Sequence, residues 1–364
     1  MEGFISIFSL VEDPRAENAR HNLLEVLFIG LAAVLCGAES CSDMADFGDA
    51  KEGLLRRLLK LKHGIPSHDT FSRVFRLLDP EPFEAAFRRF TAAFAGIGKL
   101  SGVVAIDGKA VRGAFERGAR TTPLHLVNVW AADRRLALAQ RKAVKRNEVA
   151  ATLELLKLLS LKGCIVTADA LHCHRAMAAG VLERGGAYVL ALKANQSAIF
   201  DDAIGLVDRA ARPDQCLQDF AKSHGRLERR RAVVVRDKSL AKAHDFPGIQ
   251  AVGRIESTRR VDGKPDDIAV RHFLLSKPFS AAKLLDIVRA HWSIENQLHW
   301  VLDVVFDEDR ARNRMGNGPE NIAILRKLAL NMLRTHKDKA SLRRKVKKAG
   351  WDDAFLLSLF RHMR

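Results

Sequence analysis

Between Ser280 and Phe306, apolar residues recur at helical spacing. Leu284, Val288, Trp292, Leu302 and Phe306 fall on one face, flanked by Leu285, Leu298 and Val305. Glu295 lies near the centre of that stripe. A buried carboxylate without a partner is costly or loses its charge, so a cation beside Glu295 is expected, with a metal ion as one candidate.

Residues 1 to 98 carry helical periodicity throughout. Helices are predicted over Asn22–Leu35, Gly53–Leu61, Ser67–Leu78 and Pro82–Phe94, with Ser67 as an N-cap and Pro82 suited to a first turn. The stretch Ile65–Phe71 enters a helix bearing Arg73 and Arg76, a pattern shared by DNA-contacting helix pairs and ordinary packed ones. Strand signals follow at Val103–Ile106, Leu124–Ala131, Leu136–Val144, Cys164–Ala168 and Ala187–Leu192. Helices are expected from Asn147 to about Leu161 and from His172 to Arg184. Three meandering strands followed by alternation predict an α/β fold, a mixed sheet with flanking helices. Residues 197–277 interrupt the alternation with strand-like runs at Arg231–Val235, Gln250–Ser257 and Ile268–Ser276, and a turn signal at Asp262-Gly263-Lys264-Pro265. We read them as a strand-rich insertion before the Glu295 helix, with a further helix over Pro319–Arg334. The organisation expected is a helical N-terminal part (1–98), an α/β part (99–340) and a basic C-terminal tail (341–364).

Composition adds a partner class. The 364 residues carry a net charge of +17 and a pI near 10.0, with 48% hydrophobic residues. A core can be built, and the charge favours a polyanion, most commonly nucleic acid. The basic residues are spread along the chain, which argues against an anionic membrane. The apolar run Leu23–Cys36 contains Glu25 and is too short to span a bilayer. Five scattered cysteines without paired CxxC motifs read as reduced thiols in a cytoplasmic protein. Arg343-Arg344-Lys345-Val346-Lys347-Lys348 lacks an apolar face of its own and suggests a DNA arm over a solvated helix; Arg226–Arg231 suggests a second track or a solvated loop.

Asp107 and Asp169 each follow an apolar strand run, and ligands gather at the carboxyl ends of strands in α/β sheets. Either residue alone is as readily a turn aspartate or an N-cap. Glu295 on a helix packed against the sheet would complete a carboxylate set suited to Mg²⁺ or Mn²⁺, with two ions serving phosphoryl transfer. His291, Glu295 and His299 follow one another at four-residue steps, but the His-Glu-x-x-His spacing of a zinc helix is absent. The two histidines are expected around Glu295 or in ordinary packing, and Trp292 and Trp300 in or near the core. His172 follows Asp169 closely.

Several blocks resemble insertion-sequence transposases of the DDE type, in the group that includes the H-repeat-associated proteins. They are Ala105–Gly113, Asn147-Glu148, Val166–His172 and His291–Trp300, continuing to Asp303, Phe306, Glu308-Asp309 and Arg312. The resemblance spans nearly the whole chain. It implies a ribonuclease-H-like fold and assigns Asp107, Asp169 and Glu295 as catalytic metal ligands. It also implies Mg²⁺-dependent hydrolysis at element ends, then attack of the freed 3′ hydroxyl on target DNA. Double-stranded DNA is the implied partner, bound by a homodimer or higher oligomer. Many relatives frame the glutamate with a tyrosine, an arginine and a lysine; here those positions are Val288, His291 and Leu302. His291 is then a partial substitute for the arginine, and Lys109, Arg112, Arg310, Arg312 and Arg314 are the other candidates for phosphate contacts. His172, His291, Asn296 and His299 are the candidates for supporting the carboxylates. A nuclease of the same fold and a non-catalytic DNA-binding derivative are the competing readings.

Overall fold

The computed structural model describes residues 2–96, 99–114, 123–222, 226–261 and 265–361. The turn expected at 262–265 lies outside them except for Pro265, as does the boundary placed at residue 98.

Among the described residues six helices open the chain: α1 (Glu2–Phe8), α2 (Leu23–Leu35), α3 (Cys41–Ala50), α4 (Glu52–Leu55), α5 (His68–Leu77) and α6 (Pro80–Phe94). Their starts follow from local chemistry. Asn22 accepts from the Leu24 amide at 2.9 Å, Ser67 caps α5, and Asp79 caps α6 ahead of Pro80. The sequence reading missed α1 and α3, and α4 is shorter than expected.

The strands are β1 (Gly102–Val111), β2 (Leu124–Ala131), β3 (Leu136–Lys142), β4 (Cys164–Ala168), β5 (Ala187–Leu192), β6 (Asp214–Lys222), β7 (Arg226–Arg236), β8 (Ala251–Val261) and β9 (Asp267–Leu275). Between them lie α7 (Glu148–Lys157), α8 (Arg175–Glu183), α9 (Ser197–Arg209) and α10 (Ser239–Ala243). All nine strands form one mixed sheet in the order β3-β2-β1-β4-β5-β9-β8-β7-β6. β1, β4 and β5 run parallel; the remaining pairs are antiparallel. The strand-rich segment is therefore no separate unit, because β9 pairs directly with β5. It also contains α9 and β6, which the sequence reading did not find.

One sheet face is covered by α7, α8 and α9 over a core that includes Val104, Ile106, Leu155, Val166 and Met177. The other face carries α11 (Ala281–His291), whose Leu284, Ile287 and Val288 pack on Ala232, Ile255 and Phe273. A six-residue π-helix, Ile294–His299, leads from α11 to α12 (Trp300–Val305). Then come α13 (Gly318–Thr335), α14 (Leu342–Trp351) and α15 (Asp353–Arg361). The core of the N-terminal helices includes Leu325, Leu328, Val346, Ala349, Leu356 and Phe360. Residues 341–361 are thus not a free arm. Val346 and Ala349 give α14 an apolar edge, and buried Lys345 donates Nζ to the Leu333 carbonyl at 2.7 Å. Buried Asn331 on α13 exchanges hydrogen bonds with both backbone groups of Ala137, fastening that helix to β3.

Candidate active site

Three elements converge where β4 ends beside the middle of β1. These strands pair in parallel with Ile106 opposite Ala168, so Asp107 within β1 and Asp169 just past β4 lie at the same level. The Asp107-Gly108 pair is not a turn. β1 runs on to Val111, with Asp107 opposite Asn128 of β2. Gly108 lies close to Glu148, and a Cβ there would stand 2.2 Å from Oε2, so a larger residue would have to displace that side chain. Asp169 does cap a helical turn, accepting from the Leu171 amide at 3.1 Å.

Glu295 arrives from the π-helix, and its burial corrects the opening argument. Its side chain is 50% exposed, while Ile294, Leu298 and Leu302 supply the buried stripe. Trp292 and Trp300 are exposed at 40% and 58%, not core residues. The physical reason is the change of hydrogen-bond step: i→i+5 bonding advances the helix phase differently from the uniform α-helix that the periodicity assumed. Glu295 nonetheless reaches the strand ends. Asp107, Asp169 and Glu295 line one cavity of about 200 Å³ with Thr167, Lys193, Arg271, His291 and Trp292.

His299 stands between two of the carboxylates. Its Nδ1 is 3.6 Å from Asp107 Oδ2 and 3.5 Å from Glu295 Oε2. Its Nε2 is 3.3 Å from Asn128 Nδ2, which also donates to the Leu126 carbonyl. With Asn128 Nδ2 as the donor, Nε2 is the acceptor, and Nδ1 faces the carboxylates. Burial pushes the Asp107 carboxyl well above its usual range, helped by Glu295 and Asp169. The His299 ring, 3.5 Å away, holds Glu295 below its own. Crowding thus couples the two carboxyls, so that ionising one makes the other harder to ionise.

His291 hydrogen-bonds Thr167 Oγ1 through Nδ1 at 3.0 Å, and burial pulls its pKa down to about 4. It is neutral at pH 7 and does not replace a missing arginine charge. His172, fully buried, lies 3.4 Å from Glu148 Oε2 and 3.9 Å from Asp169 Oδ1, behind the strand ends. Asn296 turns back to the Trp292 carbonyl at 3.1 Å and, among the described residues, bonds no carboxylate.

The structure redistributes the basic candidates. Lys109 is 7% exposed and committed to Asp303 at 2.7 Å, Asp309 at 3.2 Å and Glu308 at 3.4 Å, so it is a structural cation and not a phosphate contact. Arg314 donates Nε to the Gly113 carbonyl at 3.0 Å. Arg112, Arg310 and Arg312 remain exposed, the first two within reach of Asp309 and Asp307.

Sequence comparison fits this geometry. The family description "Transposase DDE domain" matches residues 98–332, and "DDE_Tnp_1-associated" matches residues 5–91. The chain belongs to the DDE transposase family. It is 32% identical to the "H repeat-associated putative transposase YhhI" of Escherichia coli K12, over 96% of each chain. It is 42% identical to an "Uncharacterized protein in dhlA 3'region" of Xanthobacter autotrophicus, over 71% of this chain and 89% of that one.

Within this DDE transposase, the sequence reading missed four site neighbours. Lys193 directly follows β5, and the strand-end argument used for the aspartates would have found it. Thr167 and Asn128 are ordinary strand residues, and Arg271 lies within β9. Only sheet register and the returning strand bring Thr167 and Arg271 to the cavity and set Asn128 behind His299. All five cysteines are free thiols, and no described helix is long and apolar enough to cross a membrane.

Proposed function

We propose that this transposase cleaves DNA at insertion-sequence ends and joins the freed strands to target DNA by phosphoryl transfer. The reading places a ribonuclease-H-like catalytic domain over residues 99–340, preceded by a helical domain that assists DNA binding. The observation that carries it is the meeting of Asp107, Asp169 and Glu295 around one cavity, from segments far apart in the chain.

The residues fit a hard divalent cation, Mg²⁺ or Mn²⁺. Ligand atoms of Asp107, Glu295 and His299 lie within 4.8 Å of one another, and Asp169 lines the same cavity. Carboxylates crowded around one cavity repel one another, which a cation would relieve, and oxygen donors suit these ions. Asp107, Asp169 and Glu295 would hold them; when bound, such ions activate an attacking oxygen and stabilise a leaving one. The chain's own residues organise the rest. Asn128 fixes the His299 ring, and His299 orients Asp107 and Glu295 from one side. His172, held by Glu148, backs Asp169. Duplex DNA is the substrate, with a homodimer or higher oligomer bridging two ends.

The test is incubation of purified protein with Mg²⁺ and duplex DNA carrying the sequences that flank the gene. The proposal expects end cleavage followed by joined products. Cleavage without any joined product would favour a nuclease on the same scaffold.

A further inference from the structure

The π-helix bearing Glu295, Ile294–His299, contains no lysine or arginine to meet a substrate phosphate. Val288 and Leu302 are apolar, His291 is neutral, and Lys109 is bound up with three acids. A phosphodiester approaching three carboxylates still needs positive charge. The cavity wall holds two other cations, Lys193 and Arg271.

Neither belongs to the strands that bear the aspartates. Lys193 is exposed just after β5, and Arg271 projects from β9 of the inserted segment. The Arg271 guanidinium lies over the Trp292 ring, 4.7 Å from its centroid. Stacking of this kind fixes the guanidinium plane while its edge stays free to meet phosphate oxygens in pairs. Burial and the neighbouring Arg230 charge lower the Arg271 pKa, and no carboxylate contributes to that shift. Among the described residues, neither Lys193 nor Arg271 makes a salt bridge.

The surroundings of Arg271 give the site a direction. α11 covers Ala232, Ile255 and Phe273 on this sheet face. Past the end of α11 the same face opens into a second cavity of about 280 Å³, lined by Arg230, Ser257, Arg259 and Ala269. Arg271, Val288 and Trp292 line both cavities, which makes them one continuous groove. Glu228 and Asp267 also line its outer part, and Glu228 is paired with Arg230.

We propose that Lys193 and Arg271 form the phosphate seat of the active site, and that the bound DNA strand leaves the carboxylates over Trp292 along the β7–β9 face. The proposal rests on the transposase reading and deepens it.

The test uses the full chain and a fluorescein-labelled duplex oligonucleotide carrying the gene's flanking sequence. Ca²⁺ replaces Mg²⁺ to hold back cleavage. Anisotropy is read over a range of KCl, beside thermal melting. Arg271→Gln and Lys193→Gln are each expected to weaken binding about tenfold and to flatten the logarithmic salt slope by about one. Melting temperatures stay unchanged. Arg271→Lys regains the slope but only part of the affinity, because it keeps charge and loses the planar fork. A double variant with wild-type affinity and slope overturns the seat while leaving the transposase reading intact. Should Arg271→Gln fail to fold, the exposed Lys193→Gln decides alone, and an unchanged slope overturns the proposal. If the wild-type chain binds no duplex at all, the seat falls together with the reading beneath it.

Discussion

Glu308 is the carboxylate that meets the description first given to Glu295. It is fully buried, 3.4 Å from Lys109 and 3.9 Å from the equally buried Lys327. Burial alone would raise its pKa, but Lys327, Lys109 and Arg326 overcome that and hold it below the usual value. Removing one partner of such a set strands the others as uncompensated charges. Glu308→Gln is therefore expected to cost about 3–5 kcal/mol of stability, read from urea denaturation. The pH dependence follows from the direction of the shift. A carboxyl lowered in the folded state gives stability that is full above its unfolded value of about 4.3 and is lost as pH falls through the folded one. Wild-type stability should decline across that acidic window more steeply than that of Glu308→Gln; equal slopes would show that Glu308 is not held ionised. Residue identity in the sequence singled out Glu295 as a functional carboxylate, but through a burial argument that belongs to Glu308. A linear pattern shows which positions share a helix face only while the helix keeps one step.

That limit is visible at the scale of elements. β2, β4 and β5 were legible to the residue, because short apolar runs bounded by turns have few other readings. The π-helix over Ile294–His299 was not, since its hydrogen-bond step leaves no mark in hydrophobic spacing. The C-terminal helices were hidden for a related reason. α14 is rich in Lys and Arg, and its apolar edge is narrow. Lys345 is buried by its stem and its carbonyl partners, a context that sequence does not supply. Cutting the chain after Ala340 would strip Val346, Ala349, Leu356, Leu359 and Phe360 from the core shared with α2 and α13. The expected result is a large fall in melting temperature or insolubility. A truncated chain that melts like the full one and has only weaker DNA binding would restore the picture of a free basic arm.

For the whole molecule, net charge and topology act together. A charge of +17 on a chain of 364 residues favours a polyanion at any face. In the proposed reading topology then selects the place, because one sheet carries Asp107 and Asp169 near its middle and continues through β9 into the face lined by Arg230, Arg259 and Arg271. The strand-rich segment was visible in the sequence; its pairing with β5, which brings Arg271 to the carboxylates, was not, because strand partners far apart in sequence leave no periodic signal. Duplex affinity should fall steeply as salt rises, through counterion release. A flat dependence would remove the electrostatic argument.

The most direct test of the central claim compares wild-type protein with Asp107→Asn in the presence of Mg²⁺ and flanking-sequence DNA. Cleavage and duplex binding are measured on the same preparations. Asp107 lies at the meeting point of Asp169, Glu295 and His299, and Asn is close to it in size. Loss of cleavage with binding nearly unchanged is the predicted result. Cleavage by Asp107→Asn at the wild-type rate would contradict the assignment of this cavity as the active site.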